Sequence, residues 1–170
     1  MLNSQQILKF VAAGTLTEGS VFWGVIGAGM VVGITGFFSA IGIGMAGATG
    51  ITASTEKSAL FGKSLVFTVL PETVVIYGLL IAILILRTIG VFGDPKLVKP
   101  EVTLFFSALV MSFVSITGYL LGKLGSTAIK SLTVSEDSFG KNIVFVVLVE
   151  SVAIYGLLVS ILILQNLGAI

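Results

Sequence analysis

Apolar residues run through this chain in four long blocks, each bounded by short polar segments. A helix that crosses the hydrocarbon core of a bilayer needs roughly 20 mostly apolar residues. Four stretches meet that length: about Val21 to Gly47, Ser64 to Leu86, Val102 to Leu121 and Ile143 to Leu164. The polar connections are Thr52 to Lys63, Arg87 to Glu101 and Lys130 to Lys141. The middle one holds Gly93-Asp94-Pro95 and Pro100, residues that favour turns over helix. The pattern divides the chain into an interfacial N-terminal lead-in (1–20), a first helical hairpin (21–87), a connecting loop (88–101) and a second helical hairpin (102–170). The lead-in has Lys9 inside a short apolar run, unlike the charged start of a signal peptide, and is read as staying on the protein. Lysine and arginine divide five to four between the two sides, so the positive-inside rule leaves orientation open.

The blocks repeat. FGKSLVFTVLPETVVIYGLLIAILIL (Phe61 to Leu86) aligns without a gap with FGKNIVFVVLVESVAIYGLLVSILIL (Phe139 to Leu164), 78 residues later, and 18 of the 26 positions are identical. The same offset pairs Gly44 with Gly122, Gly47 with Gly125 and Thr49 with Thr127. The chain is therefore a duplicated hairpin. A unit with an even number of spans enters and leaves on one side, so the copies are parallel rather than inverted. Parallel copies suit a ring. The first and third spans also carry small residues four apart: Gly36, Ala40, Gly44 and Ala48, then Gly118, Gly122 and Ser126. Such residues share one helix face and let backbones approach closely. They are the candidate ring-packing positions. The bulkier Leu, Ile and Val of the second and fourth spans predict thin inner and bulky outer helices.

Composition narrows the chemistry. Of 170 residues, 56% are hydrophobic and 10% charged, with 21 glycines; mean hydropathy is +1.16. Soluble domains carry about 25% charged residues, so a multi-pass integral membrane protein is expected, with the lipid bilayer as its main partner. There is no cysteine or histidine, which removes thiol chemistry and the commonest transition-metal ligands. The net charge of +1, with no basic block, gives no footprint for nucleic acid. No GxxxxGK[ST] phosphate loop occurs, so any nucleotide chemistry belongs elsewhere.

Six of the eight acidic residues lie in connections or near ends, whereas Glu72 and Glu150 fall inside the second and fourth spans, at equivalent repeat positions. A charged carboxylate at bilayer depth costs about 2.5–3.5 kcal/mol on insertion scales. Binding a proton or cation removes that cost. Thr73 and Ser151 follow the glutamates, and Tyr77 and Tyr155 come five residues after them. Helical side chains lean toward the N-terminus, which places each phenol to reach back toward the hydroxyl and the carboxyl. Leu70 and Leu148, two residues before each glutamate, complete the candidate ion-binding set as a source of backbone carbonyl oxygen. Pro71 removes a backbone N–H beside Glu72 and should loosen the second span there; Val149 stands at that place in the fourth. The two sites are expected to differ.

LPETVVIYGLL and LVESVAIYGLL, with the glycine stripes before them, resemble the proteolipid subunit of rotary ATPases. The duplicated four-span form resembles the K (c) subunit of V/A-type ATPases, from Val21 onward. The resemblance implies an all-α membrane protein, four transmembrane helices as two parallel-repeated hairpins, assembled in a homo-oligomeric ring that turns against a stator subunit bearing an Arg. It implies that Glu72 and Glu150 carry the ion, that the hairpin connections Thr52–Lys63 and Lys130–Lys141 dock onto a central-stalk subunit, and that the subunit is non-catalytic, needs no cofactor and resides in a prokaryotic cell membrane. Sodium-coupled members of this family usually supply a Gln from the glycine-rich span, where this chain has Ile43-Gly44-Met45 and Leu121-Gly122-Lys123, and Val74 stands where a further Gln occurs in some. A sodium ion needs several hard oxygen ligands and a proton only one, so protons are the expected ion and sodium at Glu72 and Glu150 the alternative. Lys123 is read as snorkelling near a helix end.

Two rival readings stand beside this one. A self-contained proton-coupled four-helix transporter would call for a polar internal cavity and often an inverted repeat. A structural channel-forming proteolipid would have no need of paired intramembrane acids.

Overall fold

In the computed structural model, residues 4–5, 8–9, 17–92 and 94–169 are described. The lead-in therefore lies mostly outside the described residues. Among these residues all regular structure is helical. The elements are α1 (Glu18–Glu56), α2 (Phe61–Val69), α3 (Glu72–Thr88), α4 (Thr103–Val114), α5 (Ile116–Val134) and α6 (Phe139–Asn166), with 3₁₀ turns at Ser58–Leu60 and Glu136–Ser138. They make four spans long and apolar enough to cross a membrane: Glu18–Glu56, Ser58–Thr88, Thr103–Val134 and Glu136–Asn166. At 1.5 Å per residue the 39-residue α1 is about 58 Å long, well beyond a hydrocarbon core of about 30 Å.

The helices outrun the apolar blocks for a physical reason. The polar stretch after Gly50 stays helical, and Thr52, Ser54 and Thr55 satisfy their hydroxyls on carbonyls one turn back, at 2.7–3.2 Å, without leaving it. Thr127, Ser131 and Thr133 do the same in α5. The polar composition marks where helix leaves lipid, not where helix ends. The hairpin connections shrink from the expected Thr52–Lys63 and Lys130–Lys141 to the short turns between Glu56 and Phe61 and between Val134 and Phe139.

Two interruptions lie within the spans. Leu70 and Pro71 separate α2 from α3, as Pro71 predicts, because the ring has no N–H to donate and crowds the preceding turn. Ser115 separates α4 from α5. There the Gly118 N–H bonds the Ser115 carbonyl and the Thr117 hydroxyl bonds the Val114 carbonyl, both at 2.9 Å, so three-residue bonds replace one turn of α-helix. Hydroxyl competition of this kind bends helices. The fourth span, α6, runs unbroken for 28 residues.

The chain divides into two compact units: residues 1–33, 77–113 and 156–170, and residues 34–76 and 114–155. In the first, Val31, Ile81, Ile85, Leu104, Met111 and Leu164 are fully buried. Trp23 packs on Phe105 with ring centroids 5.6 Å apart, and the Thr17 hydroxyl donates to the Glu101 carboxylate. In the second, Leu60, Phe67, Leu121, Ile129 and Leu132 form the core. Many large apolar side chains face outward in both, as a lipid solvent allows and water does not.

The second unit is closed by glycine. Gly122 and Gly118 of α5 lie so near Gly42 of α1 that a Cβ on Gly122 would fall on Gly42 backbone atoms, and one on Gly42 would fall on the Gly118 carbonyl. A Cβ on Gly118 would come within 3.1 Å of the Ser39 amide nitrogen, and one on Gly125 within 2.9 Å of the Phe67 carbonyl oxygen. One step along, Thr49 and Ser126 share a hydroxyl–hydroxyl bond of 2.7 Å. Toward the hairpin turns, Lys63 pairs with Glu136 at 2.9 Å and Lys57 donates to the Thr133 carbonyl at 3.0 Å.

Candidate ion-binding site

The two glutamates sit in different backbone settings. Glu72 opens α3, directly after the Pro71 break, and is exposed at the chain's surface; Glu150 lies mid-helix in α6 and is half-buried. The residues around them keep one feature in common. The Thr73 hydroxyl donates to the Leu70 carbonyl at 2.8 Å, and the Ser151 hydroxyl donates to the Leu148 carbonyl at 2.8 Å. Each repeat therefore pairs the hydroxyl one residue after its glutamate with the carbonyl oxygen two residues before it. A neutral carboxyl can be hydrogen-bonded by such a pair, and a hard cation can be ligated by it.

The phenols are placed less simply. Tyr77 is half-buried, while Tyr155 is 62% exposed. The Ser151 hydroxyl spends its proton on the Leu148 carbonyl, which leaves its oxygen lone pairs as acceptors on the side of Tyr155 and the carboxyl. Leu148 is 61% exposed and Leu70 half-buried, and what each offers Ser151 and Thr73 is its carbonyl oxygen. Among the described residues no group of three or more acidic side chains gathers to hold a metal. A sodium ion at Glu72 or Glu150 would depend on one carboxylate plus neutral oxygens.

The two small-residue stripes separate. Gly118 and Gly122 are buried and Ser126 half-buried, all packed on α1 of the same chain. Ala40, Gly44 and Ala48 are exposed, and nothing lies within 4 Å of a Cβ on Gly44. Gly36 is half-buried, with Val75 3.8 Å from its Cβ position. The residue missed in the sequence is Gly42, which receives the second stripe. Its repeat partner is Leu120, so a search for small residues at matched positions passes over it. Gly42 also abuts the helix break, since its Cβ position lies 3.0 Å from Pro71 Cβ.

Known proteins match the duplication as well as the motif. Residues 26–85 and again 105–163 match the ATP synthase C-subunit family. The chain belongs to that family, in a duplicated form. It is 39% identical to the A-type ATP synthase subunit K of Methanocaldococcus jannaschii over 141 residues, 83% of this chain and 61% of that protein. It is 29% identical to the V-type sodium ATPase subunit K of Enterococcus hirae over 150 residues, 88% of this chain and 94% of the other. Against the A-type ATP synthase subunit K of Sulfolobus acidocaldarius it is 39% identical over 66 residues, 38% of this chain and 65% of that protein. The chain thus spans about three fifths of the length of the Methanocaldococcus jannaschii relative.

Proposed function

We propose that this protein is a rotor-ring proteolipid of a V/A-type ATPase or ATP synthase, and that it carries protons on Glu72 and Glu150. The observation that carries the reading is the duplicated intramembrane glutamate with the same hydroxyl–carbonyl pair beside each copy, in a chain of the ATP synthase C-subunit family. Each carboxyl is neutralised by its ion while it faces lipid and releases it at a half-channel of a stator subunit, where an Arg offsets the transient charge. Moving one charge through 100 mV is worth about 2.3 kcal/mol, and steps of that size summed over a turn supply the rotary work. The subunit itself performs no catalysis. Its hairpin ends hold a mixed pocket of about 360 Å³ lined by Ala48, Thr49, Thr52, Ala53, Glu56, Lys130 and Thr133, where Glu56 and Lys130 offer charge to a central-stalk partner. The setting is a prokaryotic cell membrane.

Sodium is the second reading of the same site. It draws support from the Enterococcus hirae relative, named as a sodium ATPase subunit, and from the neutral oxygens already paired at each glutamate. The test of the main reading is Glu72→Gln and Glu150→Gln, each in the whole reconstituted complex. Gln is neutral, so both variants should insert and assemble. ATP-driven proton uptake should fall to near background in each, because a rotor cannot step past a dead site at the stator. Near-normal uptake by either variant shows that its glutamate is not an obligatory carrier.

A further inference from the structure

The repeat turns the packing inside one chain into a template for packing between chains. Phe67 of the first hairpin is fully buried. Its ring meets Phe139 with centroids 5.4 Å apart, and its backbone meets Gly125. Both of those residues belong to the second hairpin. Shifted by 78 residues, the knob becomes Phe145, and the residues it would meet become Phe61 and Gly47 of a first hairpin.

Both halves of that shifted contact are unfilled in the single chain. Phe145 is 65% exposed and Phe61 63% exposed. Gly47 and Phe61 together line an open groove of about 260 Å³, with Gly50, Ser64, Leu65 and Thr68. The groove is cut deeper than its counterpart. Gly50 stands where the second hairpin has Ala128, and Ser64 where it has Asn142. Asn142 fills its own site by donating to the Ser131 and Ser138 hydroxyls. Ser64 is 3% exposed and its hydroxyl has no hydrogen-bond partner.

We propose that this groove is the docking site for Phe145 of a second copy of this chain. The inference rests on the ring reading and names the contact that joins its members. A knob on the second hairpin and a hole on the first make a heterologous seam, which propagates from copy to copy and closes when the rotation permits. The neighbouring contacts follow the same shift. The Thr49–Ser126 pair becomes Thr127 of one copy opposite Ala48 of the next, both exposed in the chain. Gly42 against Gly118 and Gly122 becomes Leu120 against Ala40 and Gly44, all exposed. In lipid the gain is packing rather than water release, and an aromatic ring that buries about 150–250 Å² supplies much contact for one side chain.

The absence of native cysteine makes cross-linking in intact membranes a clean test. Thr49→Cys/Ser126→Cys is the fold control, and should give a link within one chain. Thr127→Cys/Ala48→Cys and Phe145→Cys/Phe61→Cys should each give a ladder of dimers, trimers and higher species on oxidation, while the four single variants give none. No ladder from either pair, in protein that passes the control and migrates as a ring, overturns the seam and leaves the rotor reading standing. Protein that passes the control but remains monomeric overturns both. A dimer from Phe145→Cys alone shows a symmetric contact and overturns the seam.

Discussion

Substituting alanine at Gly122 and at Gly44 separates two roles that the repeat makes look alike. A Cβ on Gly122 would fall on the Cα, carbonyl carbon and oxygen of Gly42, which are backbone and cannot rotate away. A Cβ on Gly44 meets nothing within 4 Å. Overpacking a close-fitted contact costs about 1–3 kcal/mol. Any helix-propensity gain of alanine over glycine, about 0.5–1 kcal/mol, applies to both and cancels in the comparison. Gly122→Ala should therefore be less stable than Gly44→Ala by about 1–3 kcal/mol, roughly 5- to 150-fold in the folded-to-unfolded ratio. The assay places each change in the Thr49→Cys/Ser126→Cys background and records the SDS mole fraction at which the intrachain link ceases to form. The midpoint should fall for Gly122→Ala and stay near the parent for Gly44→Ala. Equal midpoints, or a larger fall for Gly44→Ala, would refute the assignment of the buried stripe to packing within the chain.

Three further outcomes follow from the same geometry. Carbodiimide attacks the protonated carboxyl, so labelling of Glu72 and Glu150 should quicken as pH falls and be unaffected by millimolar sodium; protection by sodium that weakens with acid would assign sodium as the ion. Pro71→Ala should join α2 to α3 and change the labelling rate of Glu72 while leaving that of Glu150 alone, read by mass spectrometry of the two peptides; equal changes at both would detach the helix break from the site. Lys63→Ala removes an exposed ion pair and should shift the SDS midpoint only slightly, less in high salt; a large, salt-independent shift would show the pair carrying more than surface charge.

Much of this architecture is legible because hydropathy and repetition are both one-dimensional signals. The four spans, the parallel duplication and the break at Pro71 each follow from residues read in order. The hairpin ends look too long in sequence, since Thr52, Ser54 and Thr55 resemble loop by composition yet bond back into the helix. The break at Ser115 leaves no mark a proline would leave, and rests on hydroxyl competition in an apolar run. In the site, adjacency is legible and orientation is not. Sequence picks out Thr73 and Ser151, but not that their hydroxyls donate to the Leu70 and Leu148 carbonyls. Gly42 is illegible because its role depends on a neighbour about 80 residues away and its repeat partner is leucine.

That leucine has a cause on each side of it. Within the chain, Gly42 serves two close neighbours at once, the Gly118–Gly122 backbone and the Pro71 ring. Its counterpart Leu120 faces neither demand, because Val149 replaces the proline and α6 runs straight past Glu150. The Gly118 carbonyl is the nearer of the two and by itself requires glycine at 42, while the Pro71 ring, 3.0 Å from the Cβ position, adds a second demand that Val149 does not make on Leu120. The seam that Leu120 would make with Ala40 and Gly44 of another copy packs a side chain where the seam inside the chain has glycine against glycine, so the backbones approach less closely at that one level. It loses the ion pair as well, since the shift of Lys63–Glu136 sets Lys141 against Ser58. Duplication with this divergence concentrates the tightest packing within the chain and leaves the looser joint between chains, so a ring of such subunits should come apart at the Phe145 seam before its hairpins separate.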